Sequence, residues 1–186
     1  MEASHKFLGV ILDHELKFKE HVAYVQGKGM MIATQVRRLA RINGGVKGTF
    51  MRKMYEAVVV LSMMYAADVW CTPDVECSGK VVKGSRKFMG KLGRVQRMCA
   101  LQILGALRMT LNNMVDTHAG LMPIPTRVKK ICIEAAACIV TMLDMHLLYK
   151  PARRAVTFVR RHRALLHYIM KAFGRHLNDM EMMAIV

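Results

Sequence analysis

The sequence has few acidic residues, few aromatic residues and no long hydrophobic run. Only 13 of its 186 residues are Asp or Glu, against 29 that are Lys or Arg, so the formal net charge is +16. So few carboxylates leave little room for acid–base or metal chemistry, and the excess positive charge favours a polyanionic partner. We expect nucleic acid first and an anionic membrane surface second. Because 53% of the residues are hydrophobic, a disordered basic tail is excluded.

The five cysteines form no C-x-x-C pair, and their number is odd. This pattern indicates buried thiols in a reducing compartment, since a structural zinc site needs two close pairs of ligands. We therefore expect no metal and no cofactor. The uncharged stretch at residues 57–67 is far shorter than the ~20 apolar residues that cross a bilayer. The N-terminal residues show no signal-peptide pattern, so a cytoplasmic or nuclear protein without a membrane span is expected.

Hydrophobic spacing predicts a mainly α-helical chain with a short β-strand or hairpin at its N terminus. The run at residues 7–12 predicts a buried strand, and residues 75–85 have the composition of a loop. Apolar residues at helical spacing predict the following helices: residues 18–42, 49–70, 86–107, 112–119, a long helix after Pro125, and 152–173.

Motifs of known chemistry are weak or incomplete. The glycine-rich residues 44–49 lack the spacing of a phosphate-binding P-loop and are interpreted as a turn between helices. The string Tyr65-Ala66-Ala67-Asp68 is similar to the Tyr-x-Asp-Asp of reverse transcriptases, but it has one aspartate where two metal ligands are needed. We interpret Asp68 as a capping or hydrogen-bonded residue. No catalytic residue and no metal ligand is predicted.

Rows of basic residues on helices remain as the strongest functional signal. Lys87, Lys91 and Arg94 follow at i, i+4 and i+7, with Arg97 and Arg108 close by in the sequence. Arg37, Arg38 and Arg41 form a second row. Lys and Arg rows opposite apolar stripes are suited to contacts with a phosphate backbone. Because aromatic residues are only 6% of the chain, a base-stacking platform is poorly supported.

Several strings, in order, resemble the region after the catalytic palm of non-LTR (LINE-type) retrotransposon reverse transcriptases. FLGVILD at residues 7–13 precedes Leu16, Phe18 and His21. Arg52-Lys53-Met54-Tyr55 and residues 64–70 (MYAADVW) are similar to the family's "R-x-x-Y … LLYGAEVW". Residues 95–97 and 105–110 are similar to "VQR … GAxRTT", and residues 116–124 to "LxxLAGLLPI". Residues 160–167 resemble the connector that follows in fungal-type copies.

The resemblance implies a fold and a place within a larger enzyme. Residues 1–17 would be the edge of the palm, 18–126 a helical thumb that holds the template–primer duplex, and 127–186 a helical connector with a loosely packed C-terminal segment. The chain would begin after the catalytic aspartates and end before any ribonuclease H carboxylates, as a fragment that is not an enzyme by itself. Leu61 stands where the family often has proline, and Met109 replaces a threonine. The loss of that proline is expected to remove a helix kink.

Three functions follow as alternatives. The first is a catalytically incomplete part of an RNA-directed DNA polymerase, which grips the template–primer backbone and docks on an upstream palm. The second is a Met-rich basic helical module that binds an acidic protein or a membrane surface, since the chain has 18 methionines. The third is a translated remnant with no function. The sequence does not distinguish RNA from DNA as the ligand, and it gives no oligomeric state.

Overall fold

A β-hairpin opens the fold in the computed structural model, which describes residues 4–41, 45–77, 80–142, 145–147 and 149–150. Strand β1 (Ser4–Phe7) pairs antiparallel with β2 (Val10–Asp13), and Phe7 lies opposite Val10. Leu8 and Gly9 form the two-residue turn with positive φ angles of 45° and 86°. The predicted hairpin is confirmed, but a single buried strand over residues 7–12 was wrong, because Phe7 and Leu8 are exposed and Val10 is buried.

Helix α1 (Lys19–Arg41) begins after a tight turn that Asp13 organises. The Asp13 carboxylate accepts hydrogen bonds from the backbone amides of Phe18, at 2.7 Å, and Lys17, at 2.9 Å. One face of the helix is buried, as its apolar spacing predicted, and carries Val22, Val25, Ala33 and Val36.

The region predicted as one helix over residues 49–70 is divided into four parts. They are α2 (Gly48–Met54), a π-helical segment (Tyr55–Val60), α3 (Leu61–Met63) and α4 (Ala67–Trp70). Ala66 separates α3 from α4 in the left-handed conformation, with φ of 52°. The π-helical segment ends directly before Leu61, the position where the resembled family often has proline.

Strands β3 (Val75–Cys77) and β4 (Lys80–Val82) pair antiparallel in a region where a loop was predicted. Asp74 fixes the end of this strand pair by accepting bonds of 2.7 Å from the Gly84 amide and from Arg86 Nε. Helix α5 (Arg86–Leu104) follows, and it ends three residues earlier than predicted. Gly105 caps its C terminus in the left-handed conformation, with φ of 63°. Helices α6 (Asn112–Ala119) and α7 (Ile124–Val140) complete the described fold.

One hydrophobic core joins β2, α1, the π-helical segment and helices α3 to α7, and the mainly helical architecture with its N-terminal hairpin is confirmed. The predicted boundary between thumb and connector at 126/127 falls inside α7, whose Val128 and Cys132 are fully buried in the same core. Arg127 also forms a 2.7 Å ion pair with Glu56 of the π-helical segment. No helix in the described residues is long and apolar enough to cross a membrane. The predicted helix over residues 152–173 lies outside the described residues.

Candidate nucleic-acid interface

Helices α1 and α5 approach each other closely because glycine stands at the contact. A Cβ atom at Gly29 would lie 2.7 Å from Met63 Sδ and 3.3 Å from Val95 Cγ1, so no larger residue fits without displacement of these side chains. Both neighbours belong to the buried core. The close approach leaves Arg37, two turns further along α1, near the C-terminal half of α5.

A groove of about 910 Å³ lies between the C-terminal half of α1, the C-terminal half of α5 and the loop that follows α5. Four arginines line it, and they come from three separate segments: Arg37, Arg94, Arg97 and Arg108. The remaining lining residues are apolar or uncharged: Met30, Met98, Leu101, Gln102, Gly105 and Ala106. One member of the second basic row, Arg37, therefore shares a concave surface with Arg94 and Arg97 of α5, although they are distant in the sequence.

Among the described residues, no carboxylate lines the groove. The sequence has no Asp or Glu from residue 21 to residue 55 or from residue 77 to residue 115, and every lining residue falls in these two stretches. The guanidinium groups of Arg37, Arg94 and Arg108 form no ion pair and no hydrogen bond with any described residue, whereas Arg86 and Arg127 are paired with acids. Three positive charges around the groove are thus left without a partner in the described part of the chain.

Arg97 differs from its neighbours because its guanidinium is already bound. Its Nη2 donates to the carbonyl oxygens of Arg108, at 2.7 Å, and Thr110, at 2.8 Å, and its Nη1 donates to Asn112 Oδ1. We predicted a phosphate contact for Arg97, but most of its donors hold the loop that carries Arg108. The sequence gives only a weak signal for this positioning role: the "VQR" string precedes the "GAxRTT"-like string in the same order as in the resembled family.

The other predicted residues lie around the groove or beyond it. Lys87 and Lys91 are seven and three residues before Arg94 on α5, on the same helix face, but they do not line the groove. Arg38 is exposed and, one residue after Arg37, it points about 100° away around α1. Arg41 ends α1, and its side chain lies outside the described residues.

Residues from the separate family-like strings meet in the fold. Tyr55 Oη donates a buried 3.0 Å hydrogen bond to Gln96 Oε1. This bond connects the "R-x-x-Y"-like string to the "VQR" string. Burial also raises the pKa of Tyr55. Arg97 binds the carbonyl of Thr110, which joins "VQR" to "GAxRTT". A Cβ at Gly120 would lie 2.7 Å from Arg52 Nη1, so that side chain packs over the glycine of the "LAGLLPI"-like string.

The described residues hold no metal-binding cluster, and the expectation of buried thiols is met by Cys71, Cys99 and Cys132 but is wrong for Cys138, which is exposed. No three His, Cys, Asp or Glu side chains among them lie close enough to hold a metal ion. Burial raises the pKa of Cys71, Cys99 and Cys132 to about 12 each, which keeps these thiols protonated and unreactive. Asp68 lies in the first turn of α4, but no described residue donates a hydrogen bond to it, so the predicted hydrogen-bonded role is not seen.

No protein-family model, curated protein or solved structure matches the chain. Its function is therefore inferred from the groove itself. The decisive features are the four arginines, the lack of carboxylates and the three guanidinium groups without a partner among the described residues.

Proposed function

We propose that the chain binds the sugar–phosphate backbone of a nucleic-acid duplex in the arginine groove. The observation that carries this proposal is the convergence of Arg37, Arg94 and Arg108 on one concave surface without a carboxylate. Clustered like charges destabilise a folded chain unless an anion compensates them. A planar guanidinium donates two parallel hydrogen bonds to a phosphate, and neutralised phosphates release their condensed counterions.

Two features favour a duplex over a single strand. The residues that line the groove include no Phe, Tyr or Trp, and proteins that bind single strands use such rings to stack bases. Lys87 and Lys91 extend the basic face of α5 beyond the groove, and Lys87 is about 10 Å along the helix axis from Arg94. A row of this length matches a continuous backbone with regularly spaced phosphates.

We infer that this binding serves the thumb of a LINE-type reverse transcriptase, which docks on a palm. The contacts between the family-like strings support this inference, because Tyr55 with Gln96, and Arg97 with Thr110, link residues 41 and 13 positions apart. On this proposal the chain binds a template–primer and does not extend it. A primed template with Mg²⁺ should therefore remain unextended by the purified chain, and measurable extension would contradict the proposal.

An acidic peptide is the second candidate ligand, and the apolar residues of the groove favour it. Met30, Met98 and Leu101 line the groove beside the arginines. Flexible methionines adapt to apolar side chains, so an acidic segment with apolar anchors would also match this surface. A peptide has no condensed counterions to release, so its binding would depend less steeply on salt than duplex binding.

The proposal is tested by removing the unpaired charges together. The variant Arg37→Gln/Arg94→Gln/Arg108→Gln has a net charge of 16 − 3 = +13. Because each lost charged hydrogen bond costs about 1.5 kcal/mol or more, the dissociation constant for a duplex of about 20 base pairs should rise more than about tenfold. The measurement is fluorescence anisotropy with DNA and RNA–DNA duplexes at about 0.1 M salt, where phosphate contacts remain strong.

A charge-matched control separates the groove from the general positive charge. Lys19→Gln/Lys53→Gln/Lys129→Gln removes the same three charges from exposed positions outside the groove. We expect this variant to bind within about twofold of the wild type, because scattered surface charges make only a long-range contribution that salt screens. Equal losses in the two variants, or no duplex binding by the wild type, would contradict the assignment of the groove.

A further inference from the structure

The loop after α5 exposes large apolar side chains at the edge of the arginine groove. Leu107 is 81% exposed, Met109 is 92% exposed, and Leu111, which begins the next helix, is 70% exposed. Each exposed side chain of this size forgoes the free energy that its burial against an apolar surface would provide. These three residues lie within five positions of the chain and are called the apolar tip here; exposed apolar side chains grouped in this way are candidates for a binding surface.

This tip is held in a fixed conformation. Besides the bonds from Arg97, Thr110 Oγ1 donates to the Leu107 carbonyl at 2.8 Å, and the Thr110 amide donates to the same oxygen at 3.1 Å. The Ala106 amide donates to Leu101 of α5 at 3.1 Å. The loop therefore presents Leu107 and Met109 at a set position relative to α5, so binding would lose little conformational entropy.

Residues of the apolar tip alternate in the sequence with residues that line the groove. Gly105, Ala106 and Arg108 line the groove, whereas Leu107 and Met109, which flank Arg108 in the chain, do not line it and are exposed to solvent. A duplex whose phosphates contact Arg108 would thus bring its neighbouring bases and sugars next to the apolar tip. The surface that the arginines line is concave, which suits a rod-shaped polyanion better than a flat lipid surface.

We propose that Leu107 and Met109 insert into the minor groove of the duplex that the arginines hold, and partly unstack a base step there. This inference rests on the proposed function and adds the contact by which the chain would deform its ligand. Leu and Met are among the apolar side chains that proteins insert between base steps, while cationic residues bind the flanking phosphates. Arg97 is the positioning residue, since its bonds to the loop carbonyls set where the tip stands.

The test uses a DNA duplex of about 20 base pairs, two helical turns, with 2-aminopurine at successive central steps. Unstacking of this base raises its fluorescence, so the wild type should give a rise on binding. Leu107→Ser/Met109→Ser should abolish the rise, weaken binding about three- to thirtyfold and leave the salt dependence unchanged, because no phosphate contact is removed. Val81→Ser, an apolar residue 53% exposed in β4, is the matched control and should behave as the wild type.

Three results would overturn the insertion. One is wild-type binding without any change in fluorescence, and another is an equal rise with the serine variant; in both cases the proposed function would stand. A third is loss of binding to phosphatidylserine vesicles by the serine variant with duplex binding intact, which would assign the tip to a lipid surface. If the wild type fails to bind any duplex, the proposed function fails together with the insertion.

Discussion

Ala66 is the residue at which the backbone between α3 and α4 is most strained. It has φ of 52° and ψ of 31°, a left-handed conformation that costs an L-residue with a Cβ about 1–2 kcal/mol. The indole of Trp70 holds the corner by donating a 3.0 Å hydrogen bond to the Tyr65 carbonyl. In the family's "LLYGAEVW" string a glycine stands at this position, and glycine adopts this conformation without strain.

We expect Ala66→Gly to stabilise the protein. The relief of left-handed strain exceeds the extra chain entropy of glycine, so the free energy of unfolding should rise by about 0.5–1 kcal/mol. Ala23→Gly, at an exposed position inside α1, is the control and should lower it by about 1 kcal/mol. Urea denaturation measures both changes, and a loss of stability in Ala66→Gly would contradict the strained corner.

His21 is buried where the hairpin, α1 and α4 meet. Its Nδ1 accepts a 3.2 Å hydrogen bond from the Ile11 amide, and its ring packs edge-on against Trp70 with centroids 5.2 Å apart. Its Nε2 has no hydrogen-bond partner among the described residues. Desolvation by burial and, to a smaller extent, the positive charge of Lys6 lower the pKa of His21 below 6.5.

This lowered pKa predicts a loss of stability in mild acid. The unfolded chain takes up the proton near pH 6.5, before folded His21 does, so stability is complete above that pH and falls below it. The loss is about 1.4 kcal/mol for each unit between the two pKa values. His21→Asn keeps an acceptor for the Ile11 amide, and its stability should change less between about pH 7 and pH 5. The exposed control His14→Asn should retain the wild-type profile, and equal profiles for all three proteins would contradict the prediction.

At the scale of elements, the π-helical segment Tyr55–Val60 is the feature that most alters the expected helix. It ends directly before Leu61, whose φ of −59° is within the range of proline and whose side chain is 67% exposed. The Leu61 amide donates a hydrogen bond to the Val58 carbonyl, and a proline at this position would remove that one bond. Position 61 therefore has a φ angle that fits proline, and the cost of proline there is mainly the loss of that hydrogen bond.

We expect Leu61→Pro to cost about 1 kcal/mol of unfolding free energy, well below the roughly 3 kcal/mol of a proline inside a regular helix. Ala23→Pro, inside the regular helix α1, is the control that measures the larger cost of a proline in a regular helix. Thermal and urea unfolding of the two variants gives the comparison directly. If Leu61→Pro is as destabilising as Ala23→Pro, the backbone at residue 61 is a regular helix and the π-helical segment is contradicted.

The sequence predicted the long elements well and the short ones poorly. The apolar stripe of α5, with Leu92, Val95 and Cys99, is periodic over nineteen residues, and its start and approximate end followed from it. The left-handed corner at Ala66 has no such signal, because alanine favours the helix that it interrupts. The β3–β4 pair was missed for a related reason: its strands have three residues each, too few to show an alternation.

At the scale of the whole molecule, the residues of the groove could be predicted but their convergence could not. Helical spacing identified Arg94 on α5 and Arg37 on α1 as parts of separate rows. Only the packing of these helices, which are in close contact at Gly29, shows that Arg37 and Arg94 share a surface. The positioning role of Arg97 depends on backbone carbonyls of a loop, and no residue pattern reports where a carbonyl points.

The most direct test of the account is the salt dependence of duplex binding by the wild type and Arg94→Gln, with Lys53→Gln as the control. If Arg94 contacts a phosphate, the slope of log Kobs against log salt should become shallower by about 0.9 in Arg94→Gln. It should stay unchanged in Lys53→Gln, whose lysine is exposed outside the groove. An unchanged slope in Arg94→Gln, or the same change in both variants, would contradict phosphate binding in the arginine groove.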